Sequence, residues 1–291
     1  MADDVEVDAF KRLYPAQFLE RYLDASVRPD GRPLTRSRPT SVSFNAVSSA
    51  DGSALVKIGN TTMLAGAKLE TMEPAADTPD QGCLSVDFVM PPICSPRVRP
   101  GRPAEEAYVI TEQLQNALLS SGVVDLRELS IVSGKAAWMI YLDVYCLDAD
   151  GSLLDAALLA SVAALAHLQV PAICVRSEGK ITKAPPDAQA SSDGIEFTQP
   201  RRLNLGEFPF ALTVAMNQKS LIADPTAEEE AILDTKMIVI LNSSQKIIAL
   251  HKAGGSTTAS TATIQDCLAL AMRRRKTLQK VLEEALRKST K

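Results

Sequence analysis

The stretch from Ala137 to Leu168 restricts the possible folds more than any other part of the chain. In Ala137–Leu147, Trp138, Ile140, Leu142, Val144 and Cys146 point one way, and Asp143 and Tyr145 the other. Such alternation of aromatic and β-branched residues marks a strand packed on one face. Asp148-Ala149-Asp150-Gly151 supplies a turn, with Gly151 free to take positive φ. Ser152-Leu153-Leu154-Asp155 has the spacing of a capping box and predicts a helix start. That helix, to about Leu168, is apolar nearly all round, with Leu154, Leu158, Leu159, Val162 and Leu165. A helix without a broad polar face is buried on several sides. Strand, turn and helix therefore predict the centre of a layered core of helices and sheet.

A chain of 291 residues can bury a substantial core and suggests about two domains. Its net charge of −4 excludes bulk attraction to polyanions, so any nucleic-acid contact needs a local basic patch. Cys83, Cys94, Cys146, Cys174 and Cys267 are scattered and form no CxxC pair. Buried free thiols in a reducing compartment are expected, rather than disulfides or a zinc site. His167 and His251 are too few for most metal chemistry, and His167 reads as structural. The first residues lack a signal peptide's basic and apolar regions. No run approaches the roughly 20 apolar residues of a membrane span, so a soluble intracellular protein is expected.

Val7–Leu23 predicts one or two short helices, with Pro15 at a first helical position. Strands are predicted at 41–44, 53–58, 61–69 and 84–90, divided at Asp51-Gly52 and Gly59-Asn60 by hairpin signals. Pro103-Ala104-Glu105-Glu106 opens a helix with carboxylates in its first turn. Short strands follow at 129–133 and 172–175, and Lys183–Asp193 reads as a linker. Beyond it, strands are predicted at 210–215, 221–223, 237–242 and 247–250. Gly254-Gly255 then turns into a long helix with an apolar stripe through Cys267, Ala271, Leu278 and Leu282. The halves share a weak likeness, strands followed by a helix, that fits a duplicated α+β unit. The expected division is 1–27 helical extension, 28–182 first domain, 183–193 linker and 194–291 second domain.

Arg28-Pro29-Asp30-Gly31-Arg32, Ala50–Val56, Gly59-Asn60-Thr61, Leu147–Gly151 and Asp224–Glu230 occur in this order. Together they resemble the RNase PH family, over about residues 20 to 285. They are most similar to eukaryotic exosome ring subunits related to the archaeal ring's non-catalytic partner. The resemblance implies an α+β protein of two RNase PH-type domains, a split β-α-β first domain and a smaller second one. It further implies a ring of six such subunits, RNA-binding cap subunits as further partners, RNA threaded through the central channel, and no membrane. Nucleus, nucleolus and cytoplasm are the implied locations.

In active relatives, the turn at the central helix carries an arginine that grips phosphate with adjacent amides. The matching position here is Leu154, which cannot donate to phosphate and is better buried. Losing a guanidinium from such a charge-assisted pair costs roughly 2–5 kcal/mol. Active relatives also hold a divalent metal with two aspartates six positions apart. The matching residues are Asp224 and Glu230. Their carboxylates suit a metal by type, but we read Asp224-Pro225-Thr226 as an Asx-type turn and Glu228–Glu230 as a solvated face. No cofactor, no metal ligand and no catalytic residue is expected.

Arg97-Val98-Arg99-Pro100-Gly101-Arg102 is the concentrated basic segment, and the resemblance implies that it lies near the family's RNA path. Arg97, Arg99 and Arg102 are therefore the candidate RNA contacts, made to phosphates rather than bases. A solvated or subunit-bridging loop is the alternative. Arg273-Arg274-Arg275-Lys276 reads as an exposed helix face. The sequence thus points to a non-catalytic ring subunit supporting 3′-to-5′ RNA decay and processing. The rivals are an active phosphate-dependent exoribonuclease and an RNA-binding adaptor outside the ring.

Overall fold

The alternation in the central stretch becomes strand β6, Ala136–Asp148, in the computed structural model. The structure describes residues 2–102, 104–175, 181–183, 196–197, 200–217 and 220–289, with the side chains of 2–6, 8, 174–175, 181–183 and 196–197 outside that description. Trp138, Ile140, Leu142, Val144 and Cys146 are all at most 3% exposed, whereas Tyr141, Tyr145 and Leu147 are open on the other face.

Two helices, α1 (Ala2–Leu13) and α2 (Pro15–Asp24), lead in, and Pro15 begins the second. Strands β1 (Thr40–Phe44), β2 (Gly52–Ile58), β3 (Thr61–Met72) and β4 (Cys83–Val89) follow. Helix α3 (Glu105–Ser121) starts past Pro103, which lies outside the described residues. A 3₁₀ turn (Leu126–Leu129) precedes β5 (Ser130–Val132) and β6. The strands lie in the order β1-β2-β3-β6-β4, with β5 paired to β6. All neighbours are antiparallel except β4 and β6. The predicted two-residue turn is present, because Ile58 pairs with Thr61 across Gly59, at φ 58, and Asn60.

Helix α4 (Leu153–His167) is buried from Leu154 to Leu165. It packs on β2 and β3 and also touches β12 (Phe210–Met216) of a second sheet, so it lies between two sheets. This is why it lacks a polar face. The capping box predicted at its start does not form. Ser152 takes φ 50 and its hydroxyl donates to the carbonyl of Pro225, while Asp155 is buried against β12.

Short strands β7 (Gln169–Val170), β8 (Ile173–Val175), β9 (Ile181–Lys183), β10 (Glu196–Phe197) and β11 (Arg201–Arg202) make two small antiparallel sheets. Of the linker predicted at 183–193, all but Lys183 lies outside the described residues. The second large sheet contains β12 (Phe210–Met216), β13 (Leu221–Ala223), β14 (Thr235–Leu241) and β15 (Ile247–Lys252), in the order β13-β12-β14-β15. Strand β12 is buried at every residue. Leu212, Val214 and Met216 face α6 (Thr261–Ser289), while Thr213 meets Asp155 of α4. A strand covered on both sides is apolar throughout rather than alternating.

Between β13 and β14, a short helix not predicted from the sequence, α5 (Ala227–Ile232), is closed by a capping box of Thr226 and Glu229. The basic run on α6 is not a fully exposed face. Arg273 and Lys276 are open, but Arg274 and Arg275 are buried, with Arg275 bonded to the carbonyl of Ser243. Cys94, Cys146 and Cys267 are buried free thiols and Cys83 is a half-buried one; the Cys174 side chain lies outside those described. His167 stacks on Phe44 at 5.5 Å.

Candidate functional site

Two loops far apart in sequence meet at the start of α4. One is the turn Asp148–Ser152, the other the segment Asp224–Ala227 that leads into α5. Gly151, at φ 76, allows this, because an added Cβ would sit 2.7 Å from the Ala227 nitrogen. The Thr61 hydroxyl donates to the Gly151 carbonyl at 2.9 Å and holds the turn from below.

Asp224 is 1% exposed and takes φ 53. Its carboxylate accepts from the Arg38 backbone N–H at 2.7 Å and from Arg38 Nη2 at 2.7 Å. Burial opposes its charge, but the Arg38 guanidinium more than offsets this and holds the carboxyl below the usual range. Arg38 also reaches the carbonyls of Asp150 and Gly151 and thereby ties both loops together. The expected Asx-type turn at Asp224 is thus a buried ion pair.

Glu230 is not part of a solvated face. Its Oε1 accepts from the Ser152 N–H at 2.7 Å, and its Oε2 lies 2.9 Å from Lys236 Nζ. The N-terminus of a helix favours an anion, and here the chain's own carboxylate fills that place, with a lysine to balance it. Glu229 is buried too, against Arg28, whose Nε donates to its Oε1 at 2.9 Å. Only Glu228 is open, in an exposed pair with Lys11. Leu154 is 3% exposed, as its apolar character requires. A divalent metal does not fit this pair, because Asp224 is consumed by Arg38 and Glu230 by an amide and a lysine.

Arg97, Arg99 and Arg102 line one cleft of about 610 Å³. Gly151, Glu230 and Lys236 line the same cleft, so the basic loop and the matched phosphate position face each other. All three arginines are solvent-exposed; Arg102 makes an exposed pair with Glu105 at 2.7 Å. Such a pair is weak and leaves the guanidinium available. The arrangement can attract a polyanion along its open wall, but its anion position at Ser152 is taken.

Arg38, Lys236, Asp155 and Arg28 belong to this site or its support and were not singled out from the sequence. Arg28 and Arg32 stood in a recognised motif, but nothing local marks Arg28 as the partner of a glutamate 201 positions away.

Residues 36–171 match the family model described as RNase PH, 3′ exoribonuclease family, domain 1, and residues 207–274 match domain 2 of the same family. Exosome complex component Rrp42 of Methanopyrus kandleri is 34% identical over 232 residues, which is 78% of this chain and 80% of that protein. Exosome complex component rrp43 of Schizosaccharomyces pombe is 33% identical over 247 residues, 85% of this chain and 87% of that one. A chain of the solved Archaeoglobus fulgidus exosome with RNA bound to the active site superposes with a TM-score of 0.78 and 27% identity, covering 95% of this chain and 98% of its own. Rice Rrp46, with a TM-score of 0.64 but 18% identity over 89% of this chain and all of its own, shares the fold.

Proposed function

The chain belongs to the RNase PH family of 3′ exoribonucleases, and on that premise we propose that it is a non-catalytic subunit of an RNA exosome ring. It completes the ring, helps line the RNA channel and supports 3′-to-5′ degradation and processing of messenger and ribosomal RNA. In this reading it is a counterpart of human exosome complex component 8, divides into domains at 183–193, and works in the nucleus, nucleolus and cytoplasm. Its partners are other RNase PH-like ring subunits, the RNA-binding cap subunits, and RNA itself.

One observation carries the non-catalytic part. The amide at the head of α4, where the family's phosphate would bind, already donates to Glu230, and Leu154 adds no cation. A phosphate there would have to displace an internal carboxylate that is neutralised by Lys236. Assembly is supported by the relatives and by the open apolar groups on the outer face of β6, Tyr141, Tyr145 and Leu147. Arg97, Arg99 and Arg102 are the channel contacts in this reading.

The test is twofold. The pure chain is incubated with RNA, inorganic phosphate and magnesium, and nucleoside diphosphates are assayed; none above background is expected. Release that Glu230→Gln abolishes would establish the enzymatic rival instead. The native mass of the tagged complex, with its chains identified, is expected to reveal other RNase PH-like subunits. Purification without any of them would favour an adaptor outside the ring.

A further inference from the structure

A second cleft, of about 550 Å³, lies between residues 32–40, the middle of α6 and strands β12 and β13. No described residue lines both this cleft and the one described above. Among the described residues its wall contains Arg32, Arg36, Arg38, Arg273 and Arg274, and no carboxylate. Arg32 pairs with Asp30 and Arg38 with Asp224. Arg36, Arg273 and Arg274 have no ion pair among the described residues.

Arg274 is the informative member. It is 9% exposed, yet its nearest acceptors are neutral: the Thr40 hydroxyl at 2.7 Å and the Arg38 carbonyl at 3.5 Å. Those bonds fix the guanidinium in place at the cleft wall. Arg32 Nη2 beside it is buried without a hydrogen-bond partner. Burial weakens the charged form of Arg274; Asp224 and Asp155 counter this, and the neighbouring Arg38 and Arg32 add to it. Collecting cations with too little counter-charge is costly, and a bound anion relieves that cost.

We propose that this cleft binds a small anion carrying linked phosphate groups, a di- or triphosphate that is either free or borne by a nucleoside. The three guanidiniums without ion pairs match the charge of roughly −3 to −4 on a triphosphate, whereas a monophosphate leaves part of the charge uncompensated. Arginine forks suit phosphate oxygens, and the hydroxyls of Thr35, Ser37 and Thr277 at the rim are further donors. The volume falls in the range of small-molecule sites. Leu270 and Val281 on the wall offer apolar surface to a base. Arginines contributed by two separate elements surround a compact anion rather than forming a track for a strand. The proposal stands apart from the ring reading.

The experiment is calorimetric titration of the full chain, at about 0.15 M salt, with tripolyphosphate, a nucleoside triphosphate, inorganic phosphate and a short single-stranded RNA. Saturable binding of one or both triphosphates, much tighter than that of monophosphate, is expected. If both bind alike the site reads the phosphate chain; if the nucleotide binds better the apolar wall contributes; each result supports the proposal. Arg36 and Arg273 are exposed, so R36A/R273A is expected to keep the parent's melting temperature while weakening triphosphate binding at least about tenfold. R36K/R273K is expected to recover part of it, and R97A/R102A in the other cleft to change nothing. No saturable triphosphate binding, binding indifferent to R36A/R273A, or an RNA oligomer that displaces the triphosphate from this cleft would overturn the proposal.

Discussion

Glu230 shows how one extra methylene changes the use of a carboxylate. At the position matched to the second metal-binding aspartate of active relatives, it reaches the Ser152 amide instead. Glu230→Ala empties the anion position but leaves the amide and Lys236. The variant is expected to lose about 1–3 kcal/mol of stability. Roughly 20 mM inorganic phosphate is expected to restore part of that loss in the variant and none in the parent. Urea unfolding with and without phosphate measures this, and a loss indifferent to phosphate would sink the idea of a filled anion position. Asp155 has the opposite character. Burial pushes its carboxyl up to about 7 despite the Thr213 amide, and Asp224 adds to the rise. Its pKa in the folded state exceeds its unfolded value near 3.8, so the folded protein holds the extra proton. Asp155 therefore lowers stability as the pH climbs from about 4 to about 7, with no further change above. Asp155→Asn removes that slope and gains roughly 2–4 kcal/mol on the parent between pH 4 and 8. Unfolding curves at both ends check it; parallel profiles would show that Asp155 is already ionised when folded. Asp224 behaves conversely, because its lowered pKa supplies stability above the unfolded value that is lost as acid protonates it. Of these residues, Leu154 was legible because an apolar side chain at a buried position declares itself. The burial of Glu229 and Asp155, and the internal bonding of Glu230, were not, because each is paid for by a partner from another part of the chain.

Elements were legible where periodicity had room to repeat. Strands β2, β3 and β6 and helices α4 and α6 carry enough residues for alternation or an apolar stripe to appear. Helix α5 has only six residues, less than two turns, and three of them are glutamates. Its stability comes from the Thr226 capping box and from Arg28, which also donates to the carbonyls of Ala223 at 2.8 Å and Asp224 at 3.0 Å. The capping box expected at Ser152 failed for a related reason: Asp155 is claimed by Thr213 of the second large sheet. Arg28→Leu leaves Glu229 buried without a counter-charge and two carbonyls without donors. The expected loss is about 3–5 kcal/mol, read from chemical unfolding. Arg28→Leu combined with Glu229→Leu is expected to recover most of it, since removing both charges is far cheaper than removing one. A double variant as weak as the single one would assign the loss to the carbonyls rather than to the ion pair.

At the scale of the whole molecule, the relevant contrast is between a net charge of −4 and a cleft whose wall carries Arg97, Arg99, Arg102 and Lys236. A chain with this balance does not hold RNA by bulk attraction, so in the proposed ring role its hold on RNA rests on a local basic wall such as this one. The balance is local as well: Glu105, Glu106, Glu228 and Glu230 line the same cleft, and Lys236 is already committed to Glu230. Among the described residues of this cleft, the cations not held by a buried partner are thus the three loop arginines, with Arg102 able to leave its exposed pair with Glu105. Contacts of this kind position a phosphate backbone without reading bases, and they release counterions when they form. Arg99→Glu with Arg102→Glu, built into the assembled ring, is expected to weaken RNA protection at low salt for all sequences alike. Removing two phosphate contacts from a single strand also flattens the dependence of log affinity on log salt by about 1.4. Neither arginine is buried, so ring assembly and thermal stability are expected to stay as in the parent. An unchanged salt slope with unchanged protection would instead assign the loop to a neighbouring subunit, whose loss from the complex the same native mass measurement would detect.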